Sequence, residues 1–462
     1  MRVLLITLSL LTPLQAAAVP SEPANPALQE RVLRLLSGFR FGTYGRIGLS
    51  GDLRDGSQGR SLNVVSHGPR LEEPPYVELD LGYVLERSDP EALTFRVVST
   101  LAFLEDFFHY DGRFDAKLAL RNLFVEAANV LTPHLSLWVG SRMYRGDDIY
   151  LLDYWPLDNL NTVGGGAGLT LGRTRVDLHA GVNRLRDEYQ YQTVEVPDPR
   201  IGTGEVVVLD RQRTIISLRA MQQLPRLLGP ASMKIMLYGE LHHLPSGTLH
   251  REPDYREELP SDLGWVAGMQ LGVWSSSSFC NLWLRTAGGL AAYGDLAVPF
   301  GLGTDKRATD AREVVLALSG NYERGLLGLM AGGYLRYFRD ADGVVDDPDD
   351  GWEYVLAVRP HLFFHHHLHG VFEASYQGRR PNGLDPDSQT HLVPGVFKFS
   401  VMPTLSWDRG SYARPQIRLV YTVSYLDQGA RLSFPEQDPR RGVAVQHFLG
   451  AQVEWWYNSS YR

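Results

Sequence analysis

The chain has 462 residues, a net charge of −8, and a single cysteine. The mildly acidic balance argues against nucleic acid as a partner. One cysteine rules out an internal disulfide and disfavours a zinc–thiolate site. A length of this order suggests about two or three soluble domains. Yet no interior linker or composition break divides the chain, and its apolar residues are spread thinly among frequent glycines and tyrosines.

In chain order, residues 1–18 read as a signal peptide. Arg2 supplies the positive start, residues 3–11 the apolar stretch, and Ala16-Ala17-Ala18 the small-residue cleavage site. The apolar stretch is too short to span a bilayer as a helix, and no later run of about 18 apolar residues provides one. Residues 19–38 predict a short periplasmic helix or plug. Asn25 caps it, Pro26 suits its first turn, and Ser37-Gly38 can end it.

From residue 39 to 462 the dominant signal is alternation with period two, the mark of strands with two unlike faces. Phe39, Phe41 and Thr43 oppose Arg40, Tyr44 and Arg46. Val77, Leu79, Leu81 and Tyr83 oppose Tyr76, Glu78 and Asp80. Trp352, Tyr354, Leu356 and Val358 oppose Glu353, Arg359 and His361. Ile417, Leu419, Tyr421, Val423 and Tyr425 oppose Arg414, Gln416, Arg418, Thr422 and Ser424. Val453, Trp455 and Tyr457 oppose Gln452, Glu454 and Trp456. A soluble sandwich would alternate too. Two features favour a membrane: aromatics gather at the ends of the apolar faces, and long polar segments take turns with tight connections. Residues 50–74, 187–211, 245–263, 339–351 and 426–442 predict long outer loops. Residues 224–230 and 364–369 predict short turns. The fold class is therefore all-β: one transmembrane antiparallel barrel of about 16 to 18 strands. Closure satisfies every backbone donor and acceptor, which lipid cannot do.

A barrel this wide leaves an open lumen unless something narrows it. Residues 144–155 are too charged for a lipid-facing strand and too aromatic for an ordinary exposed loop. They predict either an inward-folded constriction or a packed outer loop. On the inferred inner faces, Tyr44, Tyr76 and Trp456 stand beside Arg46, Glu78 and Glu454. Aromatics in a water-filled lumen fit a sugar, whose C–H face packs on a ring while its hydroxyls need donors and acceptors.

Five segments carry a resemblance. Phe41-Gly42-Thr43-Tyr44-Gly45-Arg46, Tyr76-Val77-Glu78-Leu79, residues 148–155 leading to Gly166-Ala167-Gly168-Leu169, Ala413-Arg414-Pro415-Gln416-Ile417-Arg418, and Gly450-Ala451-Gln452-Val453-Glu454-Trp455-Trp456 run in one order from first strand to last. In these the chain resembles the maltoporin family of carbohydrate porins. The resemblance implies a homotrimer of eighteen-stranded barrels in the outer membrane, each with an aromatic path on which oligosaccharides slide. The path would include Tyr44, Tyr76, Tyr412 and Trp456, with Trp155 opposite them. The polar tracks and constriction would include Arg46, Arg70, Glu78, Arg145, Asp148, Tyr150, Asp153 and Glu454. Some positions depart from the family. Its first-loop disulfide cannot form. Gly146 stands where a constriction arginine is usual, Tyr150 replaces a histidine, and Asp115 matches an arginine. A mid-chain slide aromatic falls near Ala231 and is missing. The aromatic lent by a neighbouring subunit would be Phe107, Phe108 or Tyr110.

The remaining features read blandly. Cys280 predicts a small buried hydrophobe on a strand. His365-His366-His367, with His361 and His369, predict a solvated turn in preference to a metal site. The acidic residues of 340–350 lack an EF-hand spacing and predict a hydrated loop. No catalytic constellation and no cofactor motif is found, and an outer-membrane lipase or protease would need one. The expected function is passive diffusion of maltodextrin-type sugars. The alternative is a general diffusion porin.

Overall fold

The computed structural model describes residues 37–53, 61–85, 89, 91–104, 117–198, 202–252, 255–386 and 388–459. The leader, most of the 19–38 segment, Phe107, Phe108, Tyr110 and Asp115 lie outside the described residues. No described helix is long and apolar enough to cross a membrane.

The sheet begins with β1 (Phe39–Gly51), β2 (Tyr76–Leu85), β3 (Thr94–Leu104), β4 (Lys117–Ala128), β5 (Leu135–Arg145), β6 (Asn159–Leu171) and β7 (Thr174–Asn183). A hairpin of β8 (Tyr191–Asp198) and β9 (Gly202–Asp210) precedes β10 (Arg213–Leu228) and β11 (Ala231–Leu244). A second hairpin, β12 (Gly247–Glu252) with β13 (Tyr255–Leu259), precedes β14 (Asp262–Ser275) and β15 (Ser278–Gly289). Then come β16 (Arg312–Arg324), β17 (Leu327–Arg339), β18 (Gly351–Phe363), β19 (Leu368–Pro381), β20 (Gly395–Ser406), β21 (Gln416–Leu426) and β22 (Val445–Tyr457).

Leaving aside the two hairpins, eighteen strands form one sheet in which β1 bonds both β2 and β22. β7 pairs β10 and β11 pairs β14, all antiparallel, so the hairpins are skipped and the barrel closes. Closure removes the unpaired strand edges that hydrocarbon could not satisfy.

The two faces explain why the sequence folds this way. Leu316, Leu318, Leu356, Phe397, Phe399, Ile417 and Leu419 point outward and are exposed. Their strand neighbours Glu353, Arg359, Gln416, Arg418 and Ser424 point inward and are buried. Water would invert that arrangement; lipid outside and a polar lumen inside demand it. Trp352 and Tyr425 stand outward at the long-loop end, and Trp274, Tyr322 and Tyr457 at the short-turn end. These rings make two aromatic girdles.

Three expectations need correction. Cys280 is exposed, not buried: it sits on the outer face of β15 with Leu282 and Leu284. The 187–211 and 245–263 segments, expected as long outer loops, each hold a hairpin. Arg211 ties the two together by donating to the carbonyls of Tyr189 and Pro245 at 2.9 and 2.7 Å. Residues 61–74, within the 50–74 segment, do not stay outside but fold into the barrel. Much of the reason is polar. Ser66 N–H and Oγ donate to Glu353 at 3.0 and 3.1 Å, Val64 N–H donates to Gln377 at 3.1 Å, and Lys398 Nζ donates to Glu72 at 2.6 Å. Finally, the five histidines do not share a setting: His361 and His369 are buried, whereas His365, His366 and His367 are exposed in the turn.

The acidic loop is ordered. Asp340, Asp342 and Asp347 bring carboxylate oxygens within 4.8 Å of one another. Asp342 accepts from Val344 N–H and Asp347 from Asp349 N–H, both at 2.7 Å. Such turns are a usual role for aspartate.

Candidate functional site

Sheet register builds the first half of the site. Tyr44 of β1 lies directly beside Trp456 of β22, and Arg46 directly beside Glu454. With a side-chain period of two, both aromatics and both charges face the lumen. Tyr76 of β2 joins Tyr44 at 5.9 Å between ring centroids. The segment between β20 and β21 brings Tyr412 to 6.3 Å from Trp456. Phe279 of β15 extends the row 5.9 Å beyond Tyr412. Phe279 carried no sequence signal, since the mid-chain position expected to hold an aromatic falls near Ala231.

A constriction crosses this row. Residues 146–158 fold inward, and Ile149, Tyr150, Leu151 and Leu152 are all buried. Their seat is an apolar cluster with Met236, Tyr238, Trp283, Met330 and Tyr334 on the wall strands. Gly332 of β17 makes room, since a Cβ there would come within 2.5 Å of Ile149 Cγ2. Asp147 anchors the approach by an ion pair with Lys234 and a 2.6 Å bond from Gln270. These two tethers carried no sequence signal.

Within the constriction the chain reverses sharply. Ile149 and Tyr154 form a bridge, and Asp153 adopts a left-handed φ of 51°, which aspartate tolerates. The reversal sends Tyr150 and Trp155 to opposite walls. Tyr150 meets the row, at 5.5 Å from Tyr412 and 6.0 Å from Trp456. Trp155, on the wall opposite the row, lies under the Arg145 guanidinium at 4.1 Å and borders a separate cavity.

Polar groups rail the row closely. Arg70 donates to Tyr44 Oη at 2.7 Å and to Asp153 at 3.2 Å, and its backbone N–H donates to Leu151. It thus joins the two inward segments. Glu73 pairs with both Arg70 and Arg46, at 2.9 and 3.0 Å. Glu454 accepts from Tyr150 Oη at 2.7 Å, from Arg414 Nε at 2.9 Å and from Arg418. Arg414 also lies 4.3 Å above the Trp456 ring. Tyr76 stands between the guanidiniums of Arg46 and Arg121, at 5.3 and 5.5 Å. Glu78 accepts from Tyr76 Oη and pairs with Arg121 at 3.0 Å. Buried charges persist only when paired in this manner.

Of the residues singled out from sequence, Tyr44, Tyr76, Tyr412, Trp456, Arg46, Arg70, Glu78, Tyr150, Asp153 and Glu454 gather at this site. Arg145 and Trp155 pair with each other on the far side of the constriction, and Asp148 is partly buried in the constriction. Arg414 and Arg121 were missed as site residues. Arg121 neighbours inward-facing Asn122, so parity aims it at lipid. A register shift opposite Thr100 and Leu101 makes it the extra residue of a bulge and turns it in. The absent arginine at Gly146 also has a cause: a Cβ there would lie 2.0 Å from Asp158 Oδ1. Asp158 itself pairs with Arg219 at 2.8 Å.

This arrangement offers stacking surfaces flanked by hydrogen-bonding groups. Several known proteins are similar. A maltoporin of Hahella chejuensis is 36% identical over 104 residues, which is 20% of this chain and 24% of that relative's length. OpdK of Pseudomonas aeruginosa matches 91% of this chain and 99% of its own, with 12% identity and a TM-score of 0.45. The trimer form of OmpT from Vibrio cholerae matches 91% and 99%, with 10% identity and a TM-score of 0.42. At such scores the two structures bear on nothing finer. The LamB porin family matches residues 39–457, almost the whole barrel, and the chain belongs to that family of outer-membrane, channel-forming porins.

Proposed function

We propose that the protein carries neutral oligosaccharides of the maltodextrin type passively across the outer membrane, as a homotrimer exported by a cleaved leader. The observation that carries the reading is the row Tyr76, Tyr44, Trp456, Tyr412 and Phe279, bordered by Arg46, Arg70, Arg414, Glu73 and Glu454. A general pore has no use for aligned rings in its lumen. A sugar exchanges one ring for the next while the charged rails trade hydroxyl contacts, so binding stays weak and repeated, as conduction requires. No cofactor enters the mechanism. The named maltoporin relative fits the same cargo.

The test is single-channel recording in planar bilayers. Maltohexaose added to one side should interrupt the current in a saturable way. Trp456→Ala should weaken that block by roughly two- to tenfold, the worth of one lost ring contact. Current that ignores maltohexaose and depends only on solute size and charge would establish a general diffusion porin instead.

A further inference from the structure

The lipid-facing wall carries a groove of about 830 Å³ at its long-loop end, running across β10, β11, β14, β15 and β16. One register row explains its character. Ile216 pairs with Leu241, Leu241 with Trp265, Trp265 with Gly288, Gly288 with Arg312, and Arg312 with Arg339. Strand parity turns the whole row outward. Ile216, Leu241 and Trp265 are exposed there, with Leu263 beside them on β14. Gly288 makes room for the Trp265 ring, since a Cβ there would come within 2.7 Å of Nε1. Barrel strands tilt, so such a row runs obliquely from the hydrocarbon to the headgroup level. It ends on two guanidiniums placed directly opposite each other, which repel unless an anion lies between them.

A third guanidinium joins them. Arg307 lines the groove with Arg312 and is 45% exposed, its nearest carboxylate, Asp305, lying 3.9 Å away and outside the groove. Arg339 is 48% exposed and stands 4.0 Å from Asp350. Arg312 gives Nη1 to the carbonyls of Thr309 and Ala311 at 2.8 and 2.7 Å, and among the described residues no carboxylate pairs with it. Its Nε and Nη2 donors remain for a ligand. Asp262 is the one carboxylate residue lining the groove, and it is buried and occupied. It accepts from the N–H groups of Leu263 and Ala308 at 2.8 and 2.7 Å, which fixes the turn that presents Arg307. Guanidinium forks match phosphate oxygens, and the apolar side chains match hydrocarbon. The long loops of such barrels face outward from the cell. We propose that this groove seats a phosphorylated, multiply acylated lipid of the outer leaflet. Its phosphate lies among Arg307, Arg312 and Arg339, and an acyl chain lies along Ile216, Leu241, Leu263 and Trp265. The assignment needs only the barrel in its membrane and is independent of the cargo.

The test uses the refolded full chain in mixed micelles of detergent and diphosphoryl lipid A, with lipid retained per barrel counted by native mass spectrometry. The same lipid stripped of its phosphates and phosphatidylcholine serve for comparison, and inorganic phosphate as competitor. The unaltered protein should retain the phosphorylated lipid preferentially. Arg307→Gln combined with Arg312→Gln should weaken retention about ten- to a hundredfold, the loss of charge-assisted hydrogen bonds. Leu263→Ser should weaken it several-fold with the guanidiniums intact. Arg324→Gln, exposed at the other end of β16, should change nothing. The seat is overturned if the unaltered protein retains the stripped lipid or phosphatidylcholine equally well, or if Arg324→Gln weakens retention as much as the paired change. It is overturned too if the paired variant retains lipid A fully, or does so while its oligomer dissociates, which would make this face a subunit contact. Displacement of lipid A by millimolar inorganic phosphate would leave a bare anion site and overturn the lipid assignment.

Discussion

Residues 61–74 and residues 146–158 both enter the barrel, yet polar and apolar contacts hold them in different proportions. The first segment hangs on buried hydrogen bonds and ion pairs to β18, β19 and β20, with Leu62 and Leu71 as two separate apolar anchors. The second rests on an apolar seat of wall side chains, with polar tethers at its approach. Polar attachment depends on a few partners in fixed geometry, so it fails when one is lost. Apolar attachment is spread over many contacts and fails by degrees. Arg70 is the hinge of the comparison, since it belongs to the first segment and bonds the second.

The strongest way to break the contrast is Lys398→Met. It leaves the Glu72 carboxylate, whose side chain is 2% exposed, without its 2.6 Å partner. Stranding a buried charge costs about 3–5 kcal/mol. Hydrogen exchange at the Leu62 and Val64 amides should accelerate strongly, while the 149–152 amides respond less. Equal acceleration in both segments would mean that they are one unit. Leu151→Ala should follow, at about 2–5 kcal/mol for a buried leucine. Its effect should appear as a noisier, larger open-channel current, because the constriction loosens without detaching.

The smallest expected effect concerns the acidic loop. Burial, helped by neighbouring Asp342, Asp350 and Asp347, raises the Asp340 carboxyl from 3.8 to about 6. The folded loop therefore holds its proton more tightly than the unfolded chain does. The stabilisation is full below about pH 4 and is lost as pH rises through 6. Amides of residues 340–350 should exchange more slowly at pH 5 than at pH 8, after correction for the intrinsic rate. Asp340→Asn should erase the difference; a difference that survives in that variant would move the titration to another carboxylate.

Much of the barrel was legible because lipid imposes a simple rule on each strand. Ile417, Leu419 and Tyr421 opposing Gln416, Arg418 and Thr422 leave little choice of face. The aromatic constriction was legible as a candidate because its composition suited neither lipid nor water. What stayed hidden depended on partners far along the chain. Residues 61–74 look like an ordinary polar loop, and partners some three hundred residues on, Glu353, Gln377 and Lys398 among them, draw them inward. Arg121 was hidden for a local reason, since one bulge reverses the parity that sequence supplies. Tyr150 and Trp155 were both flagged, but a single left-handed residue between them decides which wall each one meets.

The tight fit of Gly146 against Asp158 has an evolutionary consequence. Any larger residue at 146, an arginine included, is blocked while Asp158 keeps its place. The two positions are therefore epistatic, and the path between their states has a direction. A side chain at 146 requires the Asp158 carboxylate to swing aside or shrink. Shrinking it is eased because Arg219 retains Asp177 at 3.1 Å. A change at 158 therefore opens room for one at 146, and the order of the two changes sets how steep the path is.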